Sequence, residues 1–209
     1  MAQRILDELK NIRQELDSLS ATQSIIQYFD EMDLDDEEKN KRIAVATDFQ
    51  RFFMGLFLLL VTAEVTRDEI IEQISDEYIR ILDRYDLRPN MGHIDRLAET
   101  IADNTLANLD KEFYTSVERS ISIAETETNN SANYDDLQEA IESGFTQKTW
   151  ITMRDNRVRD THVVLDGATI GIDELFQVGN AEMRFPCDEE LAFDSPEETV
   201  GCRCTISYS

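Results

Sequence analysis

The sequence has few cysteines and no apolar leader, and these shortages exclude several classes of protein. Its three cysteines all lie in the last 23 residues and do not form the even framework of a disulfide-rich secreted domain, so we expect a reducing compartment. The opening MAQRILDELK is charged from its fourth residue, which predicts no signal peptide and a start in the cytoplasm. The longest apolar run, Phe52 to Ala63, is about 12 residues where a spanning helix needs roughly 20, so no membrane partner is expected.

Positive charge is also scarce, and lysine most of all. There are 44 acidic and 20 basic residues, which gives a formal net charge of -24. A surface of this sign opposes nonspecific binding to nucleic acid, so any DNA contact must be local. An acidic surface poor in lysine is typical of proteins that stay soluble in high salt, so a halophilic host is a hypothesis, although the many isoleucines count against it.

Hydrophobic periodicity predicts an all-α part over residues 1–143. A first stripe of apolar residues, from Ile5 to Leu19, predicts a helix that must pack against a partner, either within its own domain or in a coiled coil between chains. Asp35 and Asp36 are predicted to start the second helix after an acidic break. The stripe consists of Ile5, Leu9, Ile12, Leu16 and Leu19.

The helical pattern continues over residues 39–65 and 69–85. A third long helix is predicted from Ile94 to Val117, and residues 122–142 are predicted as one or two further helical pieces around the polar stretch 126–133. His93 is interpreted as a helix-start residue.

The pattern changes at Gly144 to short segments rich in threonine, valine and isoleucine, with five of the seven glycines after residue 143. Strands are predicted over residues 148–153 and 202–208, and one helical turn over residues 172–176. A hairpin is predicted at Asp166-Gly167, joining residues 163–165 to 168–170. The fold class is therefore α+β: a long, mainly α-helical N-terminal arm, 1–143, followed by a small α+β C-terminal domain with short antiparallel strands, 144–209.

A set of polar and aromatic motifs in this last part resembles the C-terminal signature of the head-morphogenesis family of Mu F-like and SPP1 gp7-like minor head proteins. The match covers about 60 residues and is specific as a set, because no single element would be diagnostic. Its residues are Lys148, Trp150, Asp155, Arg157, Arg159, His162, Asp166, Gly167, Phe176, Pro186, Cys202, Arg203 and Cys204.

The resemblance implies a minor structural protein of a tailed-virus head that contacts the portal protein or other head proteins. It implies a location at the portal vertex or head interior of the virion, in host cytoplasm during assembly, in several copies around the portal. Roles in DNA packaging or ejection are further expectations. The family has no established catalytic residues, so the chain is expected not to be an enzyme.

Several motif residues allow two interpretations. Trp150 is a core anchor or a stacking platform for a ligand. The arginines of the motif form a turn held by carboxylates, or a cationic patch that touches packaged DNA. The alternative function is a DNA-binding or nuclease-like virion protein that uses Asp155, Arg157, Arg159 and His162. The patch would comprise Arg154, Arg157, Arg159, Arg184 and Arg203.

The cysteines predict one further site. Alternation places the thiols of Cys202 and Cys204 on the same side of the chain, opposite Arg203. With His162 and Cys187 they would complete a four-ligand structural zinc site. The other interpretation is that the thiols act as small buried hydrophobes around a hydrogen-bonded histidine.

Overall fold

The computed structural model describes residues 19–209, and in this range a helical bundle precedes a small α+β unit. The first described helix, α1, covers residues 19–30. The predicted stripe from Ile5 to Leu16 lies outside the described residues, and Leu19 is exposed. The long helices that follow are α2 (Asp36–Thr62), α3 (Arg67–Arg84), α4 (Met91–Leu106) and α5 (Val117–Glu142).

Side-chain caps explain why α2 and α3 begin where they do. Asp35 accepts a hydrogen bond from the backbone N–H of Glu38 at 2.9 Å, which satisfies a free donor of the first turn of α2. Thr66 and Glu69 form a capping box at the start of α3. The predicted helix start at Asp35-Asp36 is confirmed, and both helices end within a few residues of the predicted ranges.

The bundle core is apolar and aromatic. Phe49, Phe53 and Phe57 recur every four residues on α2 and are fully buried. The Phe49 ring lies 4.6 Å, centroid to centroid, from Tyr78 of α3. By length and composition alone α2 could cross a membrane. The apolar part of this helix is therefore longer than the run Phe52 to Ala63 noted in the sequence. Half of its most apolar 18-residue segment is buried in the bundle.

The predicted helix from Ile94 to Val117 is wrong. α4 ends at Leu106, a 3-10 helix covers Glu112–Thr115, and Ser116 caps α5 by accepting from the Arg119 backbone N–H at 3.1 Å. The Arg119 guanidinium holds this connection together by donating to the Thr105 hydroxyl at 2.7 Å. The polar stretch 126–133 lies inside α5 and is buried.

The C-terminal unit contains an antiparallel sheet with β1 (Gln147–Ile151) at its centre, between β2 (Thr169–Gly171) and β5 (Thr205–Tyr208). Strands β3 (Phe176–Val178) and β4 (Ala181–Met183) form a separate hairpin. The short helices α6 (Asp160–Val163) and α7 (Pro196–Thr199) complete it. Short antiparallel strands after a helical region confirm the α+β fold class, while the boundary at residue 144 stays a prediction.

The Asp166-Gly167 turn does not close the predicted hairpin. Val163 is the last residue of α6, residues 164–165 form a turn after it, and β2 pairs with β1. The turn instead covers the end of β1, because the Gly167 N–H donates to the Trp150 carbonyl at 2.8 Å and the Asp166 carboxylate accepts from the Thr152 N–H at 2.9 Å. A φ of +78° explains glycine at position 167.

Two other local predictions also need correction. Residues 172–173 form a turn, so the predicted helical turn over residues 172–176 is wrong. Strand β5 begins at Thr205, so Cys202-Arg203-Cys204 leads into the strand without belonging to it.

Candidate metal centre and its surroundings

Strand β1 places Lys148 and Trp150 on one face, because side chains two residues apart share a side of a strand. Both are fully buried. The Trp150 ring meets Phe176 at 5.2 Å and His162 at 5.5 Å, in edge-to-face contacts. The Lys148 ammonium lies 5.6 Å from the Phe176 ring centroid, and burial lowers the pKa of Lys148 to about 8. Trp150 therefore occupies the position expected of a core anchor.

Beside this aromatic core, His162 faces two thiols. Its Nδ1 lies 3.5 Å from Cys202 Sγ and 3.5 Å from Cys204 Sγ, and the three ligand atoms lie within 4.8 Å of one another. All three residues are at least 97% buried. On the other side of the ring, His162 Nε2 lies 3.1 Å from the carboxylate of Glu198 on α7.

Cys187, the fourth predicted ligand, lies next to this group without joining it. Its Sγ donates to the Cys202 carbonyl at 3.3 Å and lies 3.6 Å from the Thr199 carbonyl. A hydrogen bond with Cys202 and burial raise the pKa of the Cys187 thiol, while hydrogen bonds from Cys187 and Cys204 lower the pKa of Cys202. The structure thus brings together three of the four predicted ligands.

The polar stretch of α5 fixes the backbone of the cysteine segments. Its asparagine amides reach across to three carbonyls of the C-terminal unit, two of which belong to cysteines. These buried groups are thereby paired, as buried polar groups must be. Asn129, Asn130 and Asn133 donate to the carbonyls of Cys202, Cys187 and Pro186 at 2.9, 2.6 and 2.7 Å, respectively.

The motif arginines do not form an open cationic patch. Arg203 is 6% exposed and donates to Asp155 at 2.7 Å, and its guanidinium also lies 3.7 Å from Glu31. Arg159 donates to the Val200 carbonyl. Four of the five arginines have carboxylate partners, namely Arg154 with Asp166, Arg157 with Glu31, Arg184 with Asp188 and Arg203 with Asp155.

A second buried centre surrounds the other histidine. His93 Nε2 lies 2.6 Å from the Glu127 carboxylate, which also accepts from the Tyr78 hydroxyl at 2.9 Å. The Thr199 hydroxyl donates to Glu189 at 3.0 Å, and the ligand atoms of His93, Glu127 and Glu189 lie within 4.8 Å of one another. This centre borders a cavity of about 300 Å³ that is also lined by Arg119 and Phe193 among others.

Proton affinities in this centre are strongly altered. Burial lowers the pKa of His93, but the Glu127 charge and hydrogen bond raise it by more. Burial raises the pKa of Glu127, but His93 and the other donors leave it lowered. Burial and the neighbouring Glu127 raise the pKa of Glu189 to about 8. The geometry therefore favours a charged His93–Glu127 pair beside a protonated Glu189.

Sequence reasoning places His93 correctly at the start of α4 but misses the carboxylate partners of both histidines. Glu127, Glu189 and Glu198 are three among 44 acidic residues, and nothing in their spacing distinguishes them. One usable signal is the run of polar residues 126–133 within a helix, because a polar run that remains helical requires partners on every face.

Comparison with known proteins gives a family. The family model described as "Phage Mu protein F like protein" matches residues 92–207, more than half of the chain. The uncharacterized protein YqbB of Bacillus subtilis strain 168 is 44% identical over 54 residues, which are 25% of this chain and 17% of that protein. The chain thus matches about a sixth of that relative's length. No solved structure matches.

The chain belongs to the Phage Mu protein F like family, and its resemblance to the head-morphogenesis proteins is confirmed. The family implies a protein of phage head morphogenesis. The matched range begins in α4 and includes α5, so the family's region contains both buried centres.

Proposed function

We propose that this chain is a minor structural protein of the phage head, present in a few copies at the portal vertex or in the head interior. The observation that carries this proposal is the family match over residues 92–207. Those residues behave as one unit, since the asparagines of α5 hold the backbone of Cys187 and Cys202. A protein built in this way is suited to binding and shape, and we propose no reaction for it.

Exposed apolar side chains on the bundle support a protein partner. Val61, near the end of α2, is 62% exposed, and Phe113, in the 3-10 helix that packs against α2, is 59% exposed. Contiguous exposed apolar side chains mark surfaces that bind another protein, and we propose that these two belong to one such patch. We propose that this end of the bundle engages the portal protein during assembly.

Any role in packaging or ejection is proposed to act through protein contacts. The net charge of -24 repels DNA, and the motif arginines are mostly neutralised by carboxylates. His162, which a nuclease would need at its surface, is 1% exposed. Neither the DNA-binding nor the nuclease alternative is favoured by this arrangement.

The test is incorporation into particles. A phage that carries Val61→Asp with Phe113→Asp should produce heads with little of this protein, while the purified variant keeps its helical circular dichroism because both side chains are already exposed. Ile141→Asp, at a 45% exposed position on α5, is the matched control and should be incorporated normally. Normal incorporation of the double variant would refute the proposed surface. Deletion that leaves assembly, DNA content and infectivity unchanged would refute the head function.

A further inference from the structure

The arrangement around His162 brings two thiols to a single ring nitrogen. The Glu198 carboxylate can only accept, so His162 Nε2 carries the hydrogen that it donates. A neutral imidazole then has one lone pair, on Nδ1. Two thiols, those of Cys202 and Cys204, both approach this nitrogen at 3.5 Å. One lone pair cannot serve two donors equally well, whereas a metal ion would unite all three groups.

The distances fit a tetrahedral zinc ion. Zinc binds histidine nitrogen at about 2.0–2.1 Å and cysteine sulfur at about 2.3 Å, so a tetrahedral angle places the two ligand atoms about 3.6 Å apart. The observed Nδ1 to Sγ separations are both 3.5 Å. Two thiolates with one imidazole are also the ligand types that select zinc over calcium or magnesium.

The groups around the ligands are those that hold a metal site in place. A histidine ligand usually donates its other N–H to a carboxylate, which fixes the tautomer and the ring orientation. Glu198 fills that role and is itself fixed by the Thr161 hydroxyl, which donates to it at 2.7 Å. The Cys202 carbonyl is held by Asn129 and by the Tyr28 hydroxyl, each at 2.9 Å.

We propose that His162, Cys202 and Cys204 bind one zinc ion, which ties helix α6 to the segment that leads into β5. His162 lies 40 and 42 positions from the two cysteines in sequence, so the ion would restrain the C-terminal segment against the Trp150 core. The role is structural, because the site is buried and the unit has only short strands to hold it together.

The fourth coordination position is assigned to a water molecule. A cavity of about 20 Å³ is lined by His162, Cys202 and Cys204 together with Gly201 and Arg159 among others. That volume holds about one water molecule. Cys187 remains outside, because its thiol is engaged with the Cys202 and Thr199 carbonyls.

The first experiment measures the zinc content of the full chain, purified without a histidine tag, by mass spectrometry of the metal. We expect about one zinc per chain. Cys204→Ser and His162→Gln should lose it, while Cys187→Ser, the matched control in the same core, should keep it. A wild-type protein that is free of zinc and takes up neither Zn²⁺ nor Co²⁺ would overturn the proposal. Loss of zinc from Cys187→Ser equal to that from Cys204→Ser would overturn the three-residue assignment.

A second measurement does not depend on variants that fold. X-ray absorption at the zinc edge of the wild-type protein should show two sulfur and two nitrogen or oxygen neighbours. Three sulfur neighbours would overturn the assignment of water and bring Cys187 into the site. No sulfur neighbours would mean that any zinc is bound elsewhere, and would overturn the site itself.

Discussion

The chain's two histidines lie in buried centres of opposite chemistry. His93, at the start of α4, faces the carboxylates of Glu127 and Glu189, whereas His162, on α6, faces two thiols and donates to Glu198. Carboxylates stabilise a charged imidazole, so the first centre can satisfy itself with an internal ion pair. Imidazole nitrogen and cysteine sulfur are the ligand types that suit zinc, so the second centre gains most from a metal ion. The partners of a buried histidine therefore decide its role more than burial does.

Metal removal should have the largest effect, because it should destabilise the centre around His162 and leave the centre around His93 unchanged. Structural zinc in small domains contributes about 10–16 kcal/mol of apparent binding free energy, comparable with the whole stability of a domain. A strong chelator should therefore expose the amides of β1 and β5 to hydrogen exchange while α2 and α3 stay protected. Unchanged exchange in β1 and β5 after complete chelation would contradict the structural role. Cys204→Ser should show the same exchange without chelator.

The next effect concerns the carboxylate centre. Glu127→Ala removes the acceptor of His93 and one of the two partners of the Tyr78 hydroxyl, which keeps Ser131. Breaking a buried ion pair costs about 3–5 kcal/mol. Glu139→Ala, at an exposed position on the same helix, is the control and should change the free energy of unfolding by less than about 0.5 kcal/mol. Chemical denaturation measures both. A loss of under 1 kcal/mol for Glu127→Ala would show that the pair is not formed.

A smaller effect should appear as pH dependence. The pKa of Glu189 is about 8 in the folded chain, so the folded state keeps a proton that the unfolded chain loses near pH 4.5. Stability therefore falls as pH rises between these values, and the raised pKa of His93 acts in the same direction above its ordinary value of 6.5.

Glu189→Gln removes the larger of these two titrations. Between pH 5 and pH 8 the melting temperature of the variant should fall less than that of the wild type. The difference between the two falls should be at least about 2–4 °C, which is the shift that about 1 kcal/mol gives in a chain of this size. Glu182→Gln, at an exposed position, should follow the wild type. Parallel curves for wild type and Glu189→Gln would contradict the protonated state of Glu189.

The smallest effect is expected at the surface ion pairs. Arg157 is half exposed and pairs with Glu31, so Arg157→Ala should cost less than about 1 kcal/mol and become negligible at high salt. Arg203→Ala, which removes a buried arginine, should cost more. Neither variant should change retention on DNA. Strongly salt-dependent DNA binding that weakens in Arg157→Ala would instead support the cationic-patch interpretation.

The helices were predictable from the sequence where the capping residues and the spacing of apolar residues agree with the burial seen in the structure. Asp35 caps α2 and the phenylalanines of α2 recur every four residues, so both the start and the buried face were predictable. The break between α4 and α5 was not, because Leu109 and Phe113 continue the apolar period although both are exposed in the structure. Periodicity reports which residues are apolar, whereas the Ser116 cap decides where α5 begins and Arg119 ties the connection to Thr105 of α4.

The candidate site was predictable only in part. Alternation placed Cys202 and Cys204 on one side, and the structure brings both to His162. The position of Cys187 and the acceptor Glu198 depend on loops and on the asparagines of α5, and the polar run of α5 does not specify which backbone carbonyls those asparagines bind. The Asp166-Gly167 turn was recognised, but its pairing was not, because a turn motif does not specify which strand lies beside it.

The central proposal is that this member of the Mu F-like family is a minor head protein at the portal vertex or in the head interior. Quantitative mass spectrometry of purified particles and of emptied heads, with the portal subunit as the internal reference, tests it most directly. We predict a low copy number, comparable with that of the portal subunit, in intact particles, and loss from emptied heads would add a role in ejection. Absence of the protein from intact particles would contradict the account.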